Sequence, residues 1–333
     1  MKVVKKTFLD KWFETEIHES VIEPNMPIID SHHHLWDISL SKTHSKFKQK
    51  VYLYDDFLRD INKSGHNIID TVYVQCRYHY KNNVSEEYKC IGETEFADNI
   101  AKTSIINKKS NINLCSAIIS YTDINLPNNF GNVIEAHKRT SKNFRGIRCP
   151  IPDKFNDDNL NNFKYLEKQC LLYETYSSNL SNLEKVLYLA SLNPDLKIII
   201  NHFGGIIKND NIKIWKNYIK SLSNQKNIYI KIGGFQQFAQ TWNDLFSLNY
   251  SKPPINSDQL LIYLTPIAKY IISYFGTNRC MFESNYPVDR ECISYKILWN
   301  TFKKYCIISS LVNPSSYFFH IFLTTPSLNA LFL

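Results

Sequence analysis

The chain has 333 residues, is 44% hydrophobic, and carries 39 Lys+Arg against 31 Asp+Glu, a formal net charge of +8. Length and apolar content suit a globular protein with a large core. The lysines are scattered among asparagines, as in KNDNIKIWKNYIK, with no block of five or six like charges. The excess therefore reads as a solvated surface with weak attraction for acidic substrates, and a nucleic-acid arm is excluded.

The N-terminal MKVVKKTFLDKWFETE has charges through every apolar run and so no secretory core. Residues 1–25 are expected to form an extension that packs on the body. From residue 26 onward, short β-branched or apolar runs alternate with longer stretches of helical period. The strand candidates are 26–31, 68–76, 111–120, 144–149, 170–176, 196–201, 227–234 and 279–284. The helix candidates are 54–64, 91–108, 129–141, 157–168, 180–192, 211–222, 257–275 and 291–309. Within them, NLSNLEKVLYLASLNPD places apolar side chains at i, i+3, i+4 and i+7, with Asn179 and Ser181 as cap candidates. The C-terminal YFFHIFLTTPSLNALFL is broken by His320 and Pro326 and is too short to span a bilayer. It is expected to pack as a last helix and tail. Eight cysteines form no C-x-x-C pair, and several lie inside apolar runs, the pattern of reduced cytoplasmic thiols.

Eight strands alternating with eight helices predict an α/β fold, a (β/α)8 TIM barrel over residues 26–333. A doubly wound open sheet is the alternative, but no G-x-G-x-x-G follows the first strand and no P-loop occurs.

In such a barrel, functional groups sit at the C-terminal ends of strands. The first strand ends in Asp30-Ser31-His32-His33-His34. Alternation points His32 and His34 to one side and His33 to the other. A His-x-His pair in a barrel mouth can share one metal ion or one substrate oxygen. The sixth strand ends at His202, before a Gly-Gly turn that lets backbone approach a ligand. Arg148 ends the fourth strand and suits an anion clamp, since an unpaired buried guanidinium is costly. The eighth strand leads into Glu283, Asn285 and Asp289 near the same rim. Lys231, in the middle of IYIKIGG, reads as half of an ion pair inside the barrel. His44, His66, His79, His137 and His320 read as structural or surface residues.

The ordered set IDSHHHLWD, GETEF, FRGIR, NHFGG, IYIKIGG and RCMFESNYPVD resembles the amidohydrolase-related family. These are TIM-barrel hydrolases that include lactonases of sugar-acid and aromatic-degradation pathways and metal-dependent decarboxylases. The resemblance implies that His32 and His34 are the strand-one pair, and that His202 polarises the scissile carbonyl or activates water. Two departures stand out. Asn285 occupies the position of the usual aspartate, a metal ligand and general base, and asparagine cannot take a proton near neutral pH. The fifth strand, LLYETYSSNL, offers no histidine. Two imidazoles fall short of the three protein ligands of a catalytic zinc, although Glu283 or Asp289 could add an oxygen.

The expected function is hydrolysis of a lactone, or of a C–O or C–N bond, in a small carboxylated molecule. His202, Asp289, Asn285 and Glu283 are the catalytic candidates, with Asp289 foremost as base. Arg148, His32 and His34 are the substrate-binding candidates, the imidazoles donating to the carbonyl. The cofactor expectation is none, or zinc or manganese held weakly by His32 and His34. The partner expectation is a small-molecule substrate and a homodimer, without nucleic acid or membrane. The alternatives are a ligand-binding barrel that has lost its chemistry and a metal-dependent decarboxylase.

Overall fold

The structure, a computed structural model, describes residues 7–40, 47–107, 111–176, 179–205, 211–238, 246 and 250–312. His44, the C-terminal run from 317 and much of the 233–257 loop lie outside them. Eight strands form one sheet: β1 Pro27–His33, β2 Asn67–Val74, β3 Asn113–Ser120, β4 Phe144–Arg148, β5 Leu172–Thr175, β6 Ile198–Ile200, β7 Ile228–Ile232 and β8 Cys280–Phe282. Each pairs in parallel with the next in sequence. Past the end of β8, the chain returns to β1. Asn285 N–H donates to His32 O at 2.8 Å and His34 N–H to Tyr286 O at 2.6 Å. Ser31 Oγ donates to Phe282 O at 2.7 Å. The sheet thus curls into a barrel and the open-sheet alternative is excluded.

One helix follows each strand: α2 Tyr54–Ser64, α3 Ile91–Ile106, α4 Phe130–Thr140, α5 Asp157–Lys168, α6 Asn182–Leu192, α7 Ile212–Ser223, α8 Ser257–Phe275 and α9 Tyr295–Val312. A short α1, Phe8–Phe13, precedes β1. Asn156 and Asn159 cap α5 reciprocally, as Asn256 and Gln259 cap α8. Ser181 precedes α6 without a side-chain cap bond; its N–H and Oγ instead donate to Asn179 Oδ1. Trp12 Nε1 of α1 donates to Lys252 O at 2.9 Å. Among the described residues, no helix is long and apolar enough to cross a membrane.

Both faces of the strands are buried, which is why they read as unbroken apolar runs. Outward side chains such as Ile28, Tyr73, Ile147, Ile200 and Phe282 meet helical Phe57, Ile134, Phe163, Ile219 and Phe302. Inward Ile29, Val72, Ala117, Leu172, Ile199 and Met281 form a second, smaller apolar cluster in the barrel. Two residues further along β5, β7 and β8, the same face carries Glu174, Lys231 and Glu283, all fully buried. An apolar plug therefore carries a polar layer on its C-terminal side. Sequence periodicity starts the last helix at 291, whereas α9 begins at Tyr295. Residues Asp289–Glu291 form a 3-10 turn whose side chains are committed to other segments.

Candidate active site

Strict alternation from the inward Ile29 would aim Ser31 and His33 into the barrel. The β1–β2 pairing shifts register between Asp30 and His33, a bulge that inverts the choice. Asp30 turns outward to Tyr295 of α9, whose hydroxyl donates to it at 2.9 Å, and burial raises its carboxyl to about 6. His33 also faces outward: its Nε2 lies 2.9 Å from Thr71 Oγ1 and its ring packs on Phe57 and Tyr73. His32 and His34 turn inward with Nε2 atoms 3.2 Å apart.

His202 and Phe203 both have φ above +50°, outside the usual range for residues with a side chain. The following Gly204 and Gly205 also have positive φ, and the turn brings the His202 ring back over the barrel. Glu283 Oε1 accepts from His202 Nδ1 at 2.7 Å and from its backbone N–H at 3.1 Å. Glu283 Oε2 lies 2.8 Å from His32 Nδ1. That contact is close but poorly aligned for a hydrogen bond. Gly233 and Gly234 make room for both side chains. A Cβ at Gly234 would come within 2.5 Å of His202 Nδ1, and one at Gly233 within 2.3 Å of Glu283 Cγ.

The tautomers follow from these partners. His34 Nδ1 is 2.6 Å from Val74 O, so it carries the proton and leaves Nε2 a lone pair. Glu283 demands the Nδ1 proton of His202 and of His32. Arg148 Nη1 donates to His32 Nε2 at 3.1 Å. Burial, followed by the Lys231 charge, holds His32 well below the usual imidazole range; burial, followed by Arg148, does the same for His34. The expectation that these imidazoles donate to a substrate carbonyl is therefore corrected: their inward nitrogens are acceptors.

His34, Gln75, Arg148, Tyr176, His202 and Asn285, with Phe47, Arg77, Gln236, Gln237 and Val288, line a cavity of about 330 Å³. Arg148 is held by Gln75: its guanidinium donates to Gln75 O, and its own carbonyl accepts from Gln75 Nε2. Asn285, at φ 53°, donates Nδ2 to Asp289 Oδ1 at 2.9 Å and leaves its buried Oδ1 without a partner. Asp289 does not reach the cavity. Its carboxylate accepts from Phe235 N–H at 2.6 Å and Gln236 N–H at 3.1 Å, and burial raises it to about 7. The neighbouring Arg290 is turned away from it and pairs with Asp10 and Asp60. The base expected at Asp289 thus sits behind Asn285, bracing the 234–238 loop.

Sequence reasoning passed over Gln75, Tyr176 and Glu174. Their signal was present, since each lies at or near the C-terminal end of a barrel strand. Glu174 stands on β5 where a histidine was looked for. Lys231 Nζ lies 2.9 Å from each Glu174 oxygen, and Asn201 Nδ2 donates to Glu174 at 2.9 Å. This is the interior ion pair anticipated for Lys231.

The residues can hold a divalent ion. His32, His202 and Glu283 offer ligand atoms within 4.8 Å of one another. On the other side of the His32 ring, the 3.2 Å between the two Nε2 lone pairs is close to the separation of about 3.3 Å for two nitrogens on one tetrahedral zinc. Anchoring each Nδ1–H on a carboxylate or carbonyl is how proteins orient metal-binding imidazoles.

Comparison with known proteins agrees with this architecture. The uncharacterized protein y4mH of Sinorhizobium fredii (strain NBRC 101917 / NGR234) is 27% identical over 324 residues, 88% of this chain and 96% of that protein. Three solved structures share the fold. An amidohydrolase from Burkholderia multivorans with bound zinc has a TM-score of 0.62 at 15% identity, covering 92% of this chain and 95% of that one. A probable 2-pyrone-4,6-dicarboxylic acid hydrolase from Acinetobacter baumannii with citric acid bound has a TM-score of 0.62 at 14% identity, covering 92% and 98%. A 5-carboxyvanillate decarboxylase from Novosphingobium aromaticivorans, complexed with manganese and a nitrobenzoic acid, has a TM-score of 0.56 at 11% identity, covering 93% and 97%. The sequence model of the amidohydrolase family matches residues 134–305, just over half of the chain, from α4 into α9. With that match spanning Arg148, His202, Glu283 and Asn285 on a parallel eight-stranded barrel, the chain belongs to the amidohydrolase family.

Proposed function

We propose that the chain is a hydrolase that opens a lactone, or cleaves another C–O or C–N bond, in a small carboxylated molecule. The observation that carries this reading is the His202–Glu283 contact at 2.7 Å. It fixes the proton on Nδ1 and leaves Nε2 as the basic nitrogen of a residue that lines the cavity. A water beside Nε2 gives up its proton as its oxygen adds to the substrate carbonyl, and the Glu283 carboxylate stabilises the imidazolium that forms. The same proton then passes to the leaving oxygen or nitrogen. Arg148, with no carboxylate bonded to it among the described residues, holds the substrate carboxylate by charge-assisted hydrogen bonds. Asn285 Oδ1 accepts from a substrate hydroxyl and takes no proton. A divalent ion held by His32 and His34 would supply Lewis acidity toward the carbonyl and leave His202 Nε2 free to act as the base.

Decarboxylation is the second reading, supported by the likeness to the manganese-containing decarboxylase. A screen of lactones and carboxylated amides, run beside a CO2-release assay on aromatic acids with and without added manganese, separates the two. Turnover of a lactone or amide that His202→Gln lowers by roughly 10²–10⁴-fold is the expected result. CO2 release alone would replace hydrolysis by decarboxylation, and ligand binding without turnover would make the barrel a binding protein.

A further inference from the structure

The two rings of the His32–His34 pair do not satisfy each other. With Nδ1 of His34 committed to Val74 O and Nδ1 of His32 facing the Glu283 carboxylate, both Nε2 atoms present lone pairs to each other at 3.2 Å. The opposite tautomer of His32 would place a lone pair 2.8 Å from a carboxylate oxygen and an N–H against the guanidinium, which only donates. Two facing lone pairs in a fully buried place call for a cation between or beside them. The structure shows one such cation. Arg148, drawn in by Gln75, puts Nη1 on the His32 Nε2 lone pair at 3.1 Å.

We propose that Arg148 and a divalent cation exclude one another at His32 Nε2, so that the guanidinium governs whether the His-x-His pair is metallated. A ring nitrogen has one lone pair in the plane and cannot serve both. An ion placed there would also meet the guanidinium charge at close range in a site shielded from water, where repulsion is strong. The other face of His32 is the poorer ion site, because an ion between His32, His202 and Glu283 must give up the aligned His202–Glu283 bond at 2.7 Å. On the Nε2 face only the Arg148 bond is lost. Arg148 is thus a positioning residue for the imidazole pair in its own right, apart from any hold on substrate.

The test is zinc binding by the chelator-stripped full chain, measured by competition with a chromophoric chelator. Removing the guanidinium in Arg148→Gln should tighten zinc by roughly ten- to a hundredfold, the range over which groups beside a metal ligand move its affinity. Adding His34→Gln to that variant should abolish the gain. Equal or weaker zinc binding by folded Arg148→Gln overturns the proposal. A crystal of the wild-type chain soaked in zinc gives a reading independent of any variant. The expected result is an ion on His32 and His34 with the guanidinium moved off Nε2. An ion there with Arg148 still bonded to His32, or an ion seated instead on His202 and Glu283, overturns it.

Discussion

His33 and His34 are neighbours in the chain with opposite surroundings, one packed on Phe57 outside the barrel and one lining the cavity. His33→Gln should keep activity within a few-fold, whereas His34→Gln should lower it by about 10²-fold or more, the scale on which displaced active-site groups act. Initial rates on whichever substrate the screen yields decide it, and the reverse ranking would put the strand register in error. That the two outer histidines share a side follows from β alternation alone. Which side they share does not, because it is set by the bulge at 30–33, and nothing in the letters DSHHH announces a bulge. Gly234 makes a second case. A methyl there would strike the His202 ring, so Gly234→Ala should lower kcat by about 10²-fold. The Gly-Gly after IYIKI was read as the end of a strand candidate, 227–234; its service to a histidine at the end of the preceding strand was not legible. His137, read as structural, is buried with Nδ1 2.7 Å from Thr94 Oγ1 and Nε2 3.1 Å from Tyr121 O, and burial lowers it to about 3. A folded value below the unfolded value of about 6.5 means that the unfolded chain binds the proton more readily between those limits. The neutral ring's contribution is therefore complete above about pH 6.5 and falls by about 1.4 kcal/mol per pH unit below it. In urea melts, the stability gap between wild type and His137→Gln should narrow at that rate from pH 6.5 to 4; a gap constant with pH would show that the ring is charged or solvated.

Among the elements, the turn Asp289–Glu291 ties four segments together. Asp289 accepts from the backbone of 235 and 236, Arg290 pairs with Asp10 of α1 and Asp60 of α2, and Glu291 accepts from the backbone of 48 and 49. Arg290 also donates to Gln49 Oε1 at 3.0 Å and is nearly unexposed. Replacing it with leucine leaves the Asp10 and Asp60 carboxylates without their cation, at a cost of about 3–5 kcal/mol. Urea unfolding of Arg290→Leu measures this, and a loss below about 1 kcal/mol would mean that water already compensates the two carboxylates. Helix positions were legible because each repeats one period over enough residues, and barrel strands because burial on both faces leaves them as apolar runs. The start of α9 was not, since 291–294 keeps helical periodicity while tertiary bonds claim its preceding turn. The antiparallel pair Trp36–Asp37 with Val51–Tyr52 is two residues a side, too short for any period to show.

At the scale of the whole molecule, the net charge of +8 says little about the barrel's polar layer. The polar layer above the apolar plug holds half-buried Arg148 and fully buried Lys231 against fully buried Glu174 and Glu283, a formally neutral set. Its mid-strand position made Lys231 a barrel-interior residue in the sequence, but its partner lay 57 residues away, and the strand-end position of Glu174 does not by itself say which residue it pairs with. The barrel floor can be tested as a closed pair. Lys231→Met strands the Glu174 carboxylate, and Glu174→Gln strands the ammonium, so each should cost about 3–5 kcal/mol. The double variant removes both charges, and the amide introduced at position 174 would still offer an oxygen to Asn201 Nδ2, so it should cost less than either single change. The coupling energy in that double-mutant cycle, read from urea midpoints, isolates the pair from the separate packing losses. Losses that simply add would mean that the two charges do not depend on each other. The His32–His202–Glu283 cluster would then stand on independently compensated groups rather than on one ion pair beneath it.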